Sequence, residues 1–160
     1  MLTPPKSVYV DTTIPSFYFD DRESVNYLCD VTRQWWNEES RFYEIYLSTE
    51  TLAELNAGDY PRKTEILDFA RRLNLLSPDP RIGGIAHVYQ EHSLMPEEEG
   101  GDALHLAYAS FYRMDFLLTW NCNHLANANK KAHIRVINAR MELFTPEIIT
   151  PLELFSEQNL

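Results

Sequence analysis

Residues 97–123 read Glu97-Glu98-Glu99-Gly100-Gly101-Asp102-Ala103-Leu104-His105-Leu106-Ala107-Tyr108-Ala109-Ser110-Phe111-Tyr112-Arg113-Met114-Asp115-Phe116-Leu117-Leu118-Thr119-Trp120-Asn121-Cys122-Asn123. An acidic loop gives way to a glycine pair and Asp102, then to a nearly uncharged helical run over 103–112. An apolar strand at 116–118 and a polar tail follow. A helix apolar almost all round belongs inside a fold, packed on a sheet. Asp102 therefore stands at the mouth of a core element. There a carboxylate can satisfy free backbone N–H groups and the helix dipole, or it can face a ligand.

Toward the N-terminus, Val8-Tyr9-Val10 is a β-rich run ending at Asp11. The next residues, Thr12-Thr13-Ile14-Pro15-Ser16, are expected to break it, and they offer three hydroxyls near that carboxylate. In open α/β sheets ligands bind beyond the carboxyl ends of strands, so Asp11 is a candidate site residue as well as a candidate turn former. Val25, Leu28, Cys29, Thr32 and Trp35 fit one helix face, with Trp35 and Trp36 read as packing. A strand over 44–48 runs into a helix capped by Ser48 or Thr49. That helix carries Glu50 and Glu54, four apart on one face, which suits a solvated surface or a site. Gly58-Asp59-Tyr60-Pro61 stops this helix, and Pro61 suits the first position of another. Leu75-Leu76 reads as a brief edge strand, and 82–92 as a helix ending before Pro96. His87 and His92, five apart, do not share a helix face and make no zinc pair.

Past the opening stretch, 127–131 reads as a polar loop and 133–143 as a helix with Ile134, Ile137, Met141 and Phe144 as its core side. Ile148-Ile149 makes a last strand before a final turn over 152–155. Strands alternating with helices across 160 residues, without repeat or linker, indicate one domain over 1–160. The expected fold is a three-layer α/β/α sandwich on a mostly parallel sheet.

Composition narrows the function. An apolar fraction of 44% with 24% charged residues is ordinary for a globular protein. No apolar run is long enough for a bilayer and the start lacks a signal-peptide core, so no membrane and a cytoplasmic location are expected. Cys29 and Cys122 suit reduced thiols, although two remote cysteines can pair. A net charge of −10 argues against holding nucleic acid by bulk electrostatics. Any nucleic-acid contact must rest on metal or on local basic clusters: Arg62, Lys63, Arg71 and Arg72, then Lys130, Lys131, Arg135 and Arg140.

Asp11, Glu54 and Asp102 each sit at a strand end or a helix start, positions that line one rim of a parallel sheet. Three carboxylates in one pocket shift toward the protonated form unless a cation compensates. An all-oxygen set suits Mg²⁺ or Mn²⁺, which can ionise a water and stabilise charge on a phosphodiester.

These segments resemble the PIN domains, and among them the VapC-like toxin ribonucleases of toxin–antitoxin pairs. The resemblance rests on Val8-Tyr9-Val10-Asp11-Thr12, on Tyr46-Leu47-Ser48-Thr49-Glu50-Thr51-Leu52-Ala53-Glu54-Leu55, on Gly101-Asp102-Ala103-Leu104-His105-Leu106-Ala107, and on Phe116-Leu117-Leu118-Thr119-Trp120-Asn121. Thr150-Pro151-Leu152-Glu153-Leu154-Phe155 matches the usual family ending, so the likeness covers essentially the whole chain in order. It implies a Mg²⁺- or Mn²⁺-dependent endoribonuclease leaving a 5′-phosphate, a homodimer, and inhibition by a small antitoxin protein inserted into the active-site groove. By register it assigns Asp11, Glu54 and Asp102 as the acids that hold metal. Glu50, Thr12 and His105 are secondary candidates, His105 as a packed histidine or as a residue acting behind the ligands.

The chain departs from the family pattern at the fourth position, where many members carry an Asp. Asn121 fits that register best, with Asn123 next; an amide can ligate through its oxygen but brings no charge. A weakened second metal site or lower activity is expected. A haloacid dehalogenase phosphatase would need a second Asp where Thr13 stands, and a receiver domain a clearer acidic pair. A Cys122–His124 thiol site would have the two side chains facing different ways. The rival of another class is a catalytically silent PIN-like module that binds RNA or protein.

Overall fold

The computed structural model describes residues 3–92, 94 and 100–156, so the acidic loop at 97–99 lies outside the described residues, while the helix expected over 82–92 ends at Glu91, before Pro96. Among the described residues five strands form one sheet in the order β3-β2-β1-β4-β5: β1 (Lys6–Val10), β2 (Tyr43–Ser48), β3 (Asn74–Leu76), β4 (Phe116–Leu118) and β5 (Glu147–Ile149). Every pairing is parallel. Val8, Tyr9 and Val10 are fully buried because β1 is the central strand, covered on both faces as parallel strands are. Asp115 fixes its register against β4: Oδ2 accepts the Ser7 backbone N–H (2.8 Å), and the Asp115 N–H donates to Ser7 Oγ (3.0 Å). Val8 thereby lies beside Phe116.

Alternation along β1 separates two cores. Val8 and Val10 pack with Ile14, Trp35, Leu55, Ile66 and Leu67, which come from α1 (Thr13–Phe19), α2 (Asn26–Glu38), α3 (Thr49–Asn56) and α4 (Lys63–Ala70). Tyr9 points the other way, into α5 (Pro80–Glu91), α6 (Gly100–Phe111) and α7 (Ala128–Arg140). Each fully buried aliphatic side chain contributes roughly 1.5–3 kcal/mol of transfer free energy. The result is the expected three-layer sandwich with an all-parallel sheet among the described residues.

Local chemistry sets several boundaries away from their expected places. The segment after Asp11 breaks the strand as expected and continues as α1 from Thr13, with Pro15 in the first helical turn, where its missing N–H has no intrahelical partner to lose. Pro61 does not open α4. Arg62 intervenes in the left-handed region (φ 63°), its guanidinium donating to Phe19 O (3.0 Å) and Asp21 (3.2 Å). Asn127 caps α7 by accepting from the Asn129 and Lys130 N–H groups, so the expected polar loop already belongs to the helix. Ser48 caps α3 in a reciprocal box with Thr51, and α6 starts at Gly100, which places Asp102 inside its first turn rather than before it.

Candidate active site

The strand order reverses at β1, whose neighbours are β2 on one side and β4 on the other, and ligand sites form in the crevice beyond such a point. Asp11 leaves β1 there, 2% exposed. Its Oδ1 accepts the Thr13 N–H (3.0 Å) and hydroxyl (2.5 Å), and its Oδ2 accepts the Thr119 hydroxyl (2.5 Å) from the tail of β4. Burial raises the Asp11 pKa, and the His105 charge with the two hydroxyls only partly offsets it.

The β4 tail also anchors Asp102. Asn121 Nδ2 donates to Asp102 Oδ2 (2.8 Å), while Asn121 Oδ1 accepts the His124 N–H (3.1 Å) and the Asn121 N–H donates to Thr119 Oγ1 (2.9 Å). Flipping the amide would set oxygen against carboxylate and N–H against N–H, so the orientation follows from the partners. Asn121 thus turns its donor, not its oxygen, toward the neighbouring acid. Asp102 is raised by burial first and by the Asp11 charge second, with His105, His124 and Asn121 opposing. Asp11 and Asp102 are close enough to repel.

Glu54 comes from the last turn of α3. Its Oε2 accepts the Thr12 hydroxyl (2.8 Å), and its Oε1 lies 2.8 Å from His105 Nε2 on α6. That contact is short yet poorly aligned: neither atom has a directed hydrogen bond, although both are buried. The electrostatic part of the pairing is sound on distance, while the hydrogen-bond part is weakened by angle. Burial pulls Glu54 up, but His105 and then Thr12 more than offset it and hold the carboxyl below its usual range. Glu50, one turn earlier and partly buried, is pushed up by burial and by the Glu54 charge. His105, 1% exposed, feels burial against its cation, yet Glu54, Asp11 and Asp102 raise it overall.

Behind His105 stands Tyr9, whose hydroxyl lies 2.6 Å from Nδ1, 2.7 Å from Ser48 Oγ and 3.2 Å from Thr51 Oγ1. Asp11, Glu54, Asp102, Thr12, Asn121 and His105 therefore gather at one rim, with Glu50 at its margin, whereas Asn123 and Cys122 are exposed. Sequence reasoning missed Tyr9, Ser48, Thr51 and Thr119, all hydroxyls at or next to strand ends, and it dismissed His124, which acts on Asp102 electrostatically. A hollow of about 290 Å³ lined by Thr12, Ser16, Glu54, Leu55, Ala57 and Tyr60 opens beside the acids. It shares Ser16 and Tyr60 with a larger cavity of about 510 Å³ walled by Phe19, Ile66 and Arg62.

A hard divalent cation asks for oxygen ligands, and this set supplies them. The buried, undirected Oε1 of Glu54 and the repelling pair Asp11 and Asp102 are what such an ion would satisfy. Among the described residues no three His, Cys, Asp or Glu side chains close around one point. The acids are neighbours, each drawn to its own hydrogen-bond partner, and not a finished coordination sphere.

Of the basic residues, Arg62 pairs with Asp21 and Glu65, Lys63 donates to Gly58 O and Lys130 to Leu94 O, while Arg72, Arg135 and Arg140 are exposed. No helix among the described residues is long and apolar enough to cross a membrane.

No family model and no curated protein matches the sequence. Solved structures do match. A toxin–antitoxin complex from Klebsiella pneumoniae aligns with a TM-score of 0.57 at 18% identity, over 90% of this chain and 97% of that one. VapC20 of Mycobacterium tuberculosis, a sarcin–ricin loop cleaving toxin, aligns with a TM-score of 0.51 at 14% identity, over 69% of this chain and 86% of that one. The chain has the fold of a VapC-like PIN domain.

Proposed function

We propose that this protein is a Mg²⁺- or Mn²⁺-dependent endoribonuclease, the toxin of a toxin–antitoxin pair. The observation that carries the reading is that two residues of the β4 tail, Thr119 and Asn121, each grip one of two mutually repelling carboxylates, the buried Asp11 and the partly buried Asp102. Buried like charges are expensive, and a site that gathers them is built for a cation. The shared fold with an RNA-cleaving toxin supports the substrate class.

In this reading Asp11 and Asp102 hold the ion, with Glu54 as third acid. When bound, the cation neutralises charge at a phosphodiester and eases ionisation of the attacking water. Thr13 and Thr119 keep the Asp11 carboxylate from rotating. The Glu54 carboxylate, 31% exposed at the rim, would accept the proton of the water that attacks phosphorus while the P–O bond to the 3′ oxygen breaks; that oxygen leaves as a 3′-hydroxyl with a proton from solvent, and the other product carries the 5′-phosphate. Asn121 steadies Asp102 without adding charge, so a second ion is held weakly. The hollow over Ser16 and Tyr60 gives an RNA strand or a small antitoxin access to Glu54. A homodimer and a cytoplasmic location complete the reading.

The test is cleavage of a total RNA pool with Mg²⁺ or Mn²⁺, wild type beside Asp11→Asn and Asp102→Asn. Metal-dependent cleavage lost in both variants is expected. RNA retention without cleavage under either metal would favour the silent binding module.

A further inference from the structure

We propose that Gly101, His105 and Tyr9 form a seat that positions the Glu54 carboxylate. This rests on the nuclease reading and assigns the face of α6 behind the acids. Gly101 and His105 are four residues apart and so lie one above the other on one helix face. Glu54 reaches that face from α3. At Gly101 there is no side chain, and a Cβ there would overlap Glu54 Oε1 and crowd its Cδ. Only glycine lets the carboxylate come this close to the helix. One turn on, His105 Nε2 meets the same oxygen at 2.8 Å, while Thr12 holds the other oxygen at 2.8 Å. The carboxylate is bounded on three sides.

The imidazole itself is fixed from behind. Tyr9 is fully buried on the central strand, and its hydroxyl sits 2.6 Å from His105 Nδ1. Ser48 Oγ and Thr51 Oγ1, at 2.7 and 3.2 Å, can donate to the phenol oxygen, which frees the phenol hydrogen for Nδ1. Nε2 carries the proton that faces Glu54 in this tautomer, and it does so equally in the imidazolium that the surrounding carboxylates favour, where Nδ1–H donates to the phenol oxygen instead. The helix cap of α3 and the carboxylate in its last turn are thereby tied through β1 and α6. The Nε2–Oε1 contact is short but off-axis, so His105 locates Glu54 from behind while the rest of the carboxylate, 31% exposed, stays at the rim. His105 and Tyr9 are positioning residues, as partners of a ligating group commonly are.

The experiment compares wild type with Gly101→Ala, His105→Leu, His105→Gln and Tyr9→Phe. Mn²⁺ affinity is read by electron paramagnetic resonance of free Mn²⁺, RNA cleavage by kcat and KM separately, and folding by circular dichroism. Gly101→Ala keeps the helix and displaces only the carboxylate, so it covers the case in which His105→Leu does not fold. We expect Gly101→Ala and His105→Leu to weaken Mn²⁺ binding and lower kcat by roughly 10–100-fold, with KM for RNA changed less than threefold. Gln at 105 retains a donor near the place of Nε2 and should recover part of the loss, and Tyr9→Phe should lose about tenfold. Folded Gly101→Ala and His105→Leu proteins with wild-type Mn²⁺ affinity and kcat overturn the seat. A wild type that binds no Mn²⁺ and cuts no RNA overturns the nuclease reading instead, and the seat with it.

Discussion

Two buried tyrosines on the same side of the sheet end in different kinds of network. Tyr89 on α5 donates to Asn138 Oδ1 on α7 (2.6 Å). The Asn138 amide donates in turn to Ser110 Oγ (3.1 Å), Thr145 Oγ1 (3.2 Å) and Phe144 O (3.4 Å). That network is neutral and closed. Tyr9 begins in the same way, with Ser48 and Thr51, but its line runs through His105 to Glu54, where two buried atoms lack directed partners and a charge faces the open rim. A buried polar group left half-satisfied lowers stability. The closed network pins helices together, whereas the open one keeps unsatisfied capacity at the place where chemistry is proposed.

The difference can be broken by separating stability from cleavage. Asp11→Asn and Asp102→Asn are expected to reduce RNA cleavage by roughly 10³-fold or more, the scale on which a group acting in the transition state is felt. Asp102→Asn should at the same time raise the stability of the metal-free protein at neutral pH, by no more than ~1 kcal/mol after solvent screening, because it removes a partly buried charge that Asp11 repels. The sign with pH follows from the raised folded pKa. Wild type loses this contribution as pH rises through that pKa, so the two proteins should match below about pH 4 and diverge above it in urea titrations. Added Mg²⁺ should narrow the gap by stabilising wild type alone, and EDTA should restore it.

The mirror-image prediction concerns the closed network. Asn138→Ala leaves the Tyr89 hydroxyl and Ser110 only their mutual bond (3.2 Å) and removes the donor to Thr145 and Phe144, so it should lower stability by about 1–3 kcal/mol, with kcat per folded molecule unchanged. A cleavage defect in that variant beyond its unfolded fraction would erase the distinction. Thr119→Val removes one hydroxyl from Asp11 while keeping shape. Because the same hydroxyl accepts the Asn121 N–H, the change should lower kcat by about tenfold or more and stability by about 1–2 kcal/mol, measured side by side by RNA cleavage and thermal melts. The smallest effect is expected at Asn123, which is exposed. Asn123→Ala should leave stability within about 0.5 kcal/mol and cleavage near wild type, and a large loss there would move the fourth position away from Asn121.

Strand ends and apolar periodicity made most of this legible. Val8-Tyr9-Val10 before Asp11, Ser48 before the helix bearing Glu54, and the uncharged run after Asp102 are local patterns, and each element formed within a few residues of its expected place. The boundaries that moved, at Arg62 and Ala128, moved because of an arginine bonded to a distant carbonyl and an asparagine cap. Sequence alone thus set the alternation of strands and helices, the buried helix after Asp102, and which carboxylates stand at strand ends and helix starts, because these depend on side-chain period and on residues a few positions apart. Tertiary structure alone decided that Asn121 offers its donor to Asp102, that Gly101 makes room for Glu54, and that Tyr9 reaches Glu54 through His105. Those contacts join residues 19 to 96 positions apart, and only the sheet order and the packing of α3 against α6 bring them within hydrogen-bond range.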